Sequence, residues 1–483
     1  MEPTAAWLLS FALHYVLQLA VLVRALTRPE REPASRLAWL LVILAVPGLG
    51  VILYLLLGEV NPGRRVLARL RKLRAVLPTM PPGAETARVP DRGRAAFDRA
   101  ASVNGFAPLG GNRATLAEGA DDAMDALIAD IDAATESVHI LVYIWLDDTT
   151  GRALAAAATR AAGRGVAVRC MVDGLGSRRF LRSATWRALR GAGVRTGVAF
   201  STRWSALRLL LGRIDIRNHR KLFVIDGRVV HVGSRNCADP AFAIKARFAP
   251  WVDILLRVEG PVAWQTQQLF VSDWAAHTGE DLSALLAVPV AAPGPAGQGE
   301  DGFPGLVFGS GPGFAANAVP DVAILALAAA RHEVVISTPY FVPTMALDEQ
   351  LRSAALRGVA VTLILPARND SRFVGWASRA YYRGLLRDGV RVMEFRKGLL
   401  HAKTLTVDGQ WTLIGSANLD RRSFELNFEN NLLLSDAATT RAIRDRQARY
   451  IAQSDAIDAA AVARWSLPRR LLHNLAATIS PVL

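Results

Sequence analysis

Apolar and polar positions follow three regimes along the chain. The first is a pair of long apolar runs, 5–23 and 37–57. Only Ser10, His14 and Gln18 interrupt the first, while the second contains Pro47, Gly48 and Gly50. Each approaches the roughly 20 residues a helix needs to cross a bilayer, so the pattern predicts a two-helix transmembrane hairpin over 1–60. No basic stretch precedes the first run and the second follows closely, which separates the pair from a cleaved signal peptide. The second regime, 61–115, is basic and then proline-rich. Within it, 63–77 reads either as an amphipathic helix on anionic headgroups or as a solvated linker.

The third regime alternates short apolar runs with alanine- and arginine-rich stretches, the signature of an α/β fold. Strands are predicted at 138–145, 166–172 and 194–200, helices at 152–164 and 181–190, and a hairpin over 221–232 that turns at Asp226-Gly227. The order then repeats: strands at 334–338, 359–365 and 390–395, helices at 347–357 and 374–387, and a hairpin turning at Asp408-Gly409. Fragments of sequence repeat as well, Arg164-Gly165-Val166-Ala167-Val168 matching Arg357-Gly358-Val359-Ala360-Val361. One ancestral lobe used twice, each a mixed sheet flanked by helices, is the expected architecture. The lobes are placed at 116–285 and 305–460, with a Gly/Pro/Ala-rich linker at 286–304 and a basic, then apolar tail at 461–483. That tail either docks on the membrane or covers a lobe.

Composition narrows the partner. The chain is 51% hydrophobic with mean hydropathy +0.22 and carries a formal charge of +15, which calls for an anionic partner. Nucleic acid and an anionic lipid surface both satisfy that. The membrane hairpin selects the lipid, and no run of aromatics beside basic residues offers a stacking platform for nucleic acid. Both flanks of the second run are basic: Arg24, Arg28, Arg31 and Arg36 before it, and Arg64, Arg65, Arg69, Arg71, Lys72 and Arg74 after it. The denser side is assigned to the cytoplasm, giving a multi-pass inner-membrane protein whose catalytic lobes face the cytoplasm. Cys170 and Cys237 form neither a disulfide framework nor a zinc site. No metal and no cofactor is expected, and the sequence leaves the oligomeric state open.

The chemistry lies in two copies of H-x-K-x4-D-x6-G-S-x-N. The first holds His219, Lys221, Asp226, Gly233, Ser234 and Asn236; the second holds His401, Lys403, Asp408, Gly415, Ser416 and Asn418. On a strand, His and Lys two apart share a face while the residue between them points away. An imidazole that attacks or shuttles a proton, an ammonium and an amide that hold anionic oxygens, and a Gly turn that admits backbone together suit a phosphodiester. Asp226 and Asp408 are counted with the catalytic members of the motif, although their place at hairpin turns also reads as structural, as turn residues or as partners of backbone amides. His139, His231, His277 and His332 lack motif partners and read as structural, and Trp274 reads as core or as the wall of an acyl path.

These paired motifs resemble the HKD signature of the phospholipase D superfamily, and the wider chain resembles bacterial cardiolipin synthases. The likeness rests also on Leu37-Ala38-Trp39-Leu40-Leu41, Arg217-Asn218-His219-Arg220-Lys221, Pro250-Trp251-Val252-Asp253, Thr338-Pro339-Tyr340-Phe341-Val342-Pro343 and Asn418-Leu419-Asp420-Arg421-Arg422-Ser423. The resemblance implies that two phosphatidylglycerol molecules give cardiolipin and glycerol. One of His219 and His401 attacks phosphorus while the other protonates the departing glycerol and then deprotonates the acceptor. It further implies that Lys221, Lys403, Asn236 and Asn418, with Ser234 and Ser416, hold the phosphate oxygens, and that Asp253 and Glu429 orient the imidazoles. Competing functions are phospholipid hydrolysis, with water as acceptor, and nucleic-acid cleavage.

Overall fold

The computed structural model describes residues 3–28, 33–60, 62–201, 213, 215–289 and 302–480. Two sets of seven strands build most of one continuous sheet of 16. The first set is β1 (Leu109–Leu116), β2 (Ser137–Val142), β3 (Ala167–Asp173), β4 (Arg195–Ala199), β5 (Leu222–Ile225), β6 (Val229–Gly233) and β7 (Leu255–Glu259). The second is β8 (Phe303–Ser310), β9 (Glu333–Ser337), β10 (Ala360–Pro366), β11 (Arg391–Phe395), β12 (Thr404–Val407), β13 (Trp411–Gly415) and β14 (Asn427–Ser435). Outward from the centre the first half runs β1-β7-β6-β5-β2-β3-β4 and the second β8-β14-β13-β12-β9-β10-β11, joined where β1 pairs antiparallel with β8. The expected repeat is therefore present strand for strand, with the mixed sheet flanked by helices.

β1 and the helix Arg94–Asn104 both fall inside the stretch read as a linker. Phe97, Ala100 and Val103 of that helix are buried in the main core, a helical spacing that the surrounding prolines and arginines obscure. The two predicted hairpins form as read. Asp226 and Asp408 adopt left-handed conformations (φ 50° for each) ahead of Gly227 and Gly409, which gives the twist that two-residue hairpin turns need. Residues 290–301 of the expected linker, and Glu30, Arg31 and Glu32 between the apolar runs, lie outside the described residues.

Of the expected hairpin the N-terminal region shows one candidate membrane-spanning helix. Helix α1 (Pro3–Thr27) contains one window, Ser10–Thr27, long and apolar enough to cross a membrane. The second run is not one spanning helix. It rises as α2 (Pro33–Ala45), breaks at Val46–Gly48, and continues as Leu49–Leu53 and a π turn Tyr54–Gly58. Pro47 cannot donate an amide hydrogen and Gly48 sits at φ 80°, so the helix cannot pass through. The chain folds back there: the Trp39 and Tyr54 rings meet edge to face at 5.3 Å, and Gly50 lies against the Val42 carbonyl, where any Cβ would collide. Glu59 accordingly returns to Arg24, whose Nη2 donates to it at 2.8 Å.

The basic helix α3 (Arg64–Val76) buries Leu70 in the catalytic core, and Arg69 donates to the Ala276 carbonyl at 3.2 Å. Its apolar face is thus covered by protein. Helix α4 (Val262–Thr278) is buried along nearly its whole length beneath the first half of the sheet.

Candidate active site

Each motif histidine leaves its own half and is held by the other. The short strand Arg217–Asn218 pairs in parallel with the start of β14, and the His219 amide donates to the Phe428 carbonyl at 2.9 Å. Symmetrically, Leu399–Leu400 pairs with Trp251–Val252, and the His401 amide donates to the Val252 carbonyl at 2.8 Å. The residue after each accepting carbonyl is a carboxylate, so the two orienting pairs are crossed. His219 Nδ1 lies 2.9 and 3.0 Å from the Glu429 oxygens, and His401 Nδ1 lies 2.6 Å from Asp253 Oδ1. An ionised carboxylate only accepts, so each Nδ1 carries the proton and each Nε2 keeps its lone pair. Both histidines line one cavity of about 540 Å³ between the halves.

The electrostatics agree with that assignment. Burial pushes the His219 imidazole down to about 4 against the pull of Glu429, with Lys221 adding to the depression. Burial lowers His401 as well, again reinforced by its neighbouring lysine, Lys403. For Glu429 and Asp253 burial opposes ionisation, but the facing histidine, a lysine and a serine outweigh it and hold both carboxyls below their usual range. The directions of these shifts favour neutral imidazole on anionic carboxylate. Burial also depresses the ammonium groups of Lys221, to about 8, and Lys403, to about 7. Each Nζ donates one hydrogen to its own histidine's carbonyl, at 2.7 and 2.6 Å, and both ammonium groups are buried behind the histidines.

The remaining motif residues divide by role. Ser234 Oγ donates to Asp253 at 2.6 Å and accepts from the Ile254 amide, while Ser416 Oγ donates to Glu429 and accepts from the Asn430 amide. Both hydroxyls are committed to the orienting carboxylates rather than free for phosphate. Gly233 and Gly415 make this possible, since a Cβ there would lie 2.2 Å from the Ile254 oxygen and 2.3 Å from the Asn430 oxygen. Asn236 and Asn418 line the cavity; Asn236 accepts from the Ile144 amide at 3.1 Å and Asn418 Nδ2 reaches Ser423 Oγ at 3.2 Å. Asp226 accepts from the amides of Thr135, Glu136 and Ser137, and Asp408 from those of Arg331, His332 and Glu333. These aspartates fix hairpins to the sheet.

Several residues that reading by alternation passed over matter here. Arg220, between His219 and Lys221, points away from the cavity but not into water. It pairs with Asp273 at 2.8 Å, donates through Nε to the Glu429 carbonyl at 3.1 Å, and is only 5% exposed. In the sequence it is one of five consecutive polar residues, 217–221, and nothing there marks it as buried. Tyr143 meets the His219 ring at 5.0 Å, Trp251 meets the His401 ring at 4.7 Å, and Asn427 Nδ2 donates to Glu429 at 3.1 Å. The unassigned residues stay structural: His139 stacks on Phe270, His231 pairs with Asp130 at 2.7 Å, and Trp274 is buried with its indole on Glu280. Cys170 and Cys237 are buried thiols. Among the described residues no group of three or more His, Cys, Asp or Glu is placed to hold a metal ion.

Two equivalent halves that trade carboxylates across one pocket, each offering a free imidazole nitrogen, define a duplicated phospholipase D-like enzyme. The family described as "Cardiolipin synthase, PLD-like domain" matches residues 127–274 and 324–450, and "Phospholipase_D-nuclease N-terminal" matches 16–59. The chain is 36% identical to cardiolipin synthase A of Edwardsiella ictaluri, over 99% of this chain and 98% of the relative, and 35% identical to that of Cronobacter sakazakii over the same shares. The crystal structure of phosphatidylserine synthase from Haemophilus influenzae covers 86% of this chain and 100% of its own, with a TM-score of 0.56 at 13% identity, a likeness of fold. The chain belongs to the cardiolipin synthase family of phospholipase D-like enzymes.

Proposed function

We propose that this enzyme transfers the phosphatidyl group of one phosphatidylglycerol to the headgroup hydroxyl of a second, giving cardiolipin and glycerol. The observation that carries the reading is the crossed pair: two neutral imidazoles face one cavity, each with Nδ1 held and Nε2 free. His219 Nε2 attacks phosphorus, the bond to the glycerol oxygen breaks, and His401, protonated as the phosphodiester anion enters, gives that oxygen its proton. His401 Nε2 then takes the proton from the acceptor hydroxyl, whose oxygen displaces His219. Lys221, Lys403, Asn236 and Asn418 hold the non-bridging oxygens, while Ser234 and Ser416 act through Asp253 and Glu429. The test is the lipid product of purified protein given phosphatidylglycerol alone. Cardiolipin with an equal yield of glycerol is expected; phosphatidic acid in its place means that water is the acceptor.

The lobes 116–285 and 305–460, extended by β1 and β8, act as one catalytic body on the cytoplasmic face of the inner membrane. We also propose that α1 alone crosses the bilayer and that residues 33–58 re-enter it from the cytoplasmic side. Three features support this. The break at Pro47-Gly48 lies beside His14, thirteen residues before Thr27, a depth of about 20 Å at 1.5 Å per residue in a core of about 30 Å. Glu59 returns to Arg24. Both basic flanks of the second run, which a hairpin would place on opposite sides, then share the cytoplasmic side as the positive-inside rule asks. A cysteine at Thr27 should react with an impermeant maleimide only after the inner membrane is opened; reaction in cells with permeable outer membranes alone restores the hairpin.

A further inference from the structure

The C-terminal helix α6 (Leu467–Ile479) is apolar on a face it does not need for packing. Its inner side, carrying His473 and Ala476, rests on helix α5 (Arg372–Arg387), where Phe373, Val374, Trp376 and Ala377 receive it. Leu467, Leu471, Leu472, Leu475 and Ile479 are exposed by 65, 59, 41, 58 and 38%. At about 100° per residue these five fall within an arc of about 140°, opposite the packed side. Arg464 and Arg470 are exposed beside it, while Arg469, on the packed side by the same count, lays its guanidinium over the Trp465 ring at 4.1 Å.

The position of this helix names its partner. Val374 both receives α6 and lines the catalytic cavity, together with Asp370 and Ser371 at the start of α5. Across the mouth, Leu175 and Ile244 line the same cavity while 43 and 40% exposed, beside the exposed Arg178 and Arg179. The membrane region reaches this mouth too. Arg213 donates to the carbonyl of Leu57, pairs with Asp215 at 2.5 Å, and Asp215 meets Arg422 of the cavity wall at 3.5 Å. Apolar side chains ringed by arginines, on both lips of a pocket tied to a membrane segment, match the boundary between acyl chains and anionic headgroups.

We propose that α6 lies in the headgroup region of an anionic bilayer with its five apolar side chains among the acyl chains, seating the mouth of the pocket on the membrane. Substrate then enters sideways, its phosphate moving past Arg178 and Arg179 without the lipid leaving the bilayer. This rests on the reading of the substrate as a membrane phospholipid. The helix is an interfacial contact additional to α1, and it brings the second half of the enzyme to the surface.

The test uses the full chain in vesicles of phosphatidylglycerol and phosphatidylcholine, with a nitroxide on Leu475→Cys and, as reference, on Arg470→Cys; the native thiols are buried. In power-saturation measurements the Leu475 label should be accessible to oxygen and shielded from an aqueous nickel chelate, whereas the Arg470 label should meet the chelate. Equal exposure of both labels to the chelate overturns the proposal. Shielding of Leu475 from both quenchers overturns it too, in favour of a second copy of the chain on this face. A catalytic arm adds Leu471→Glu with Leu475→Glu: turnover on vesicles should fall roughly tenfold, and turnover of short-chain phosphatidylglycerol below its micelle concentration should not change. Equal losses on both substrates overturn the proposal. The label reads position whether or not cardiolipin forms, so failure of the functional reading shows separately, as absence of product with the shielding intact.

Discussion

Around His219 the site is polar and anchored; around His401 it is aromatic. His219 has Tyr143 at its ring, Asn427 on its carboxylate, and Arg220 behind it, riveted to Asp273 and to the Glu429 backbone. His401 has Trp251 at its ring, stacked in turn on Phe242, and the position matching Arg220 is the buried Ala402. The chemistry that both halves share, imidazole on carboxylate with a buried lysine beneath, is the part the motif encodes. What distinguishes them comes from residues outside the motif. Duplication thus supplies two equal imidazole–carboxylate pairs and sets them in unequal surroundings.

The largest test removes the equal part. His219→Ala and His401→Ala should each lower cardiolipin formation by at least ~10³-fold while circular dichroism and membrane retention stay normal. The inequality appears when the leaving group needs no proton. With such an activated phosphatidyl donor, His401→Ala should still trap a labelled phosphohistidine at His219, whereas His219→Ala should trap none. Label on His401 in the His219→Ala protein, with none on His219 in the other, reverses the roles and leaves the reaction class standing.

Next in size is the crossing. Glu429→Gln should behave as a weakened His219 and Asp253→Asn as a weakened His401, each losing roughly 10²–10³-fold on phosphatidylglycerol. Only Asp253→Asn should be rescued by the activated donor. Once the trapping experiment has fixed His219 as the nucleophile, rescue of Glu429→Gln instead would mean that each carboxylate serves the histidine of its own half, contrary to the geometry.

The motif, the duplicated strand order and the amide-capping role of Asp226 and Asp408 were legible because they are local: fixed spacings, alternation and hairpin turns. The crossing was not, since it depends on parallel pairing of Arg217–Asn218 with β14 across the halves, which no local pattern specifies. Arg220 was passed over because alternation implies that the residue between His and Lys faces outward. Here both faces of the sheet are covered, so outward means into α4 and a buried aspartate. The break in the second apolar run has a visible cause in Pro47-Gly48, which run length alone hides. The serines are legible as neighbours of the site, but their bonds to Asp253 and Glu429 are not, because those depend on approach distances at Gly233 and Gly415.

Arg220→Ala sharpens the comparison at lower amplitude. It leaves Asp273 buried without its cation, so stability should fall by about 3–5 kcal/mol in urea titration, and Arg220→Ala with Asp273→Asn should recover part of that. The kinetic effect should fall on kcat, roughly tenfold, with KM little changed, because Arg220 reaches substrate only through Glu429. A change confined to KM would place Arg220 in contact with substrate.

The smallest effect concerns pH and the two lysines, and here activity and stability should move in opposite directions. Burial brings Lys403 to about 7 and Lys221 to about 8 from an ordinary 10.5. Phosphate needs the ammonium form, so kcat/KM should decline as pH rises from 7 to 8. The bound phosphodiester favours protonated lysine, so kcat should hold to higher pH. For stability the sign reverses. Between the depressed folded values and 10.5 the unfolded chain binds more protons, so these groups make folding more favourable as pH rises through that window. The two halves separate by the size of the shift: in Lys403→Met the more depressed group is gone and the alkaline decline should move from near 7 to the value of Lys221, about 8. In Lys221→Met only the like charge on Lys403 is lost, so its decline should rise by less than that. A kcat/KM profile that stays flat to pH 9 in the unmodified enzyme would show that both ammonium groups are fully charged before substrate arrives, and would remove this distinction between the halves.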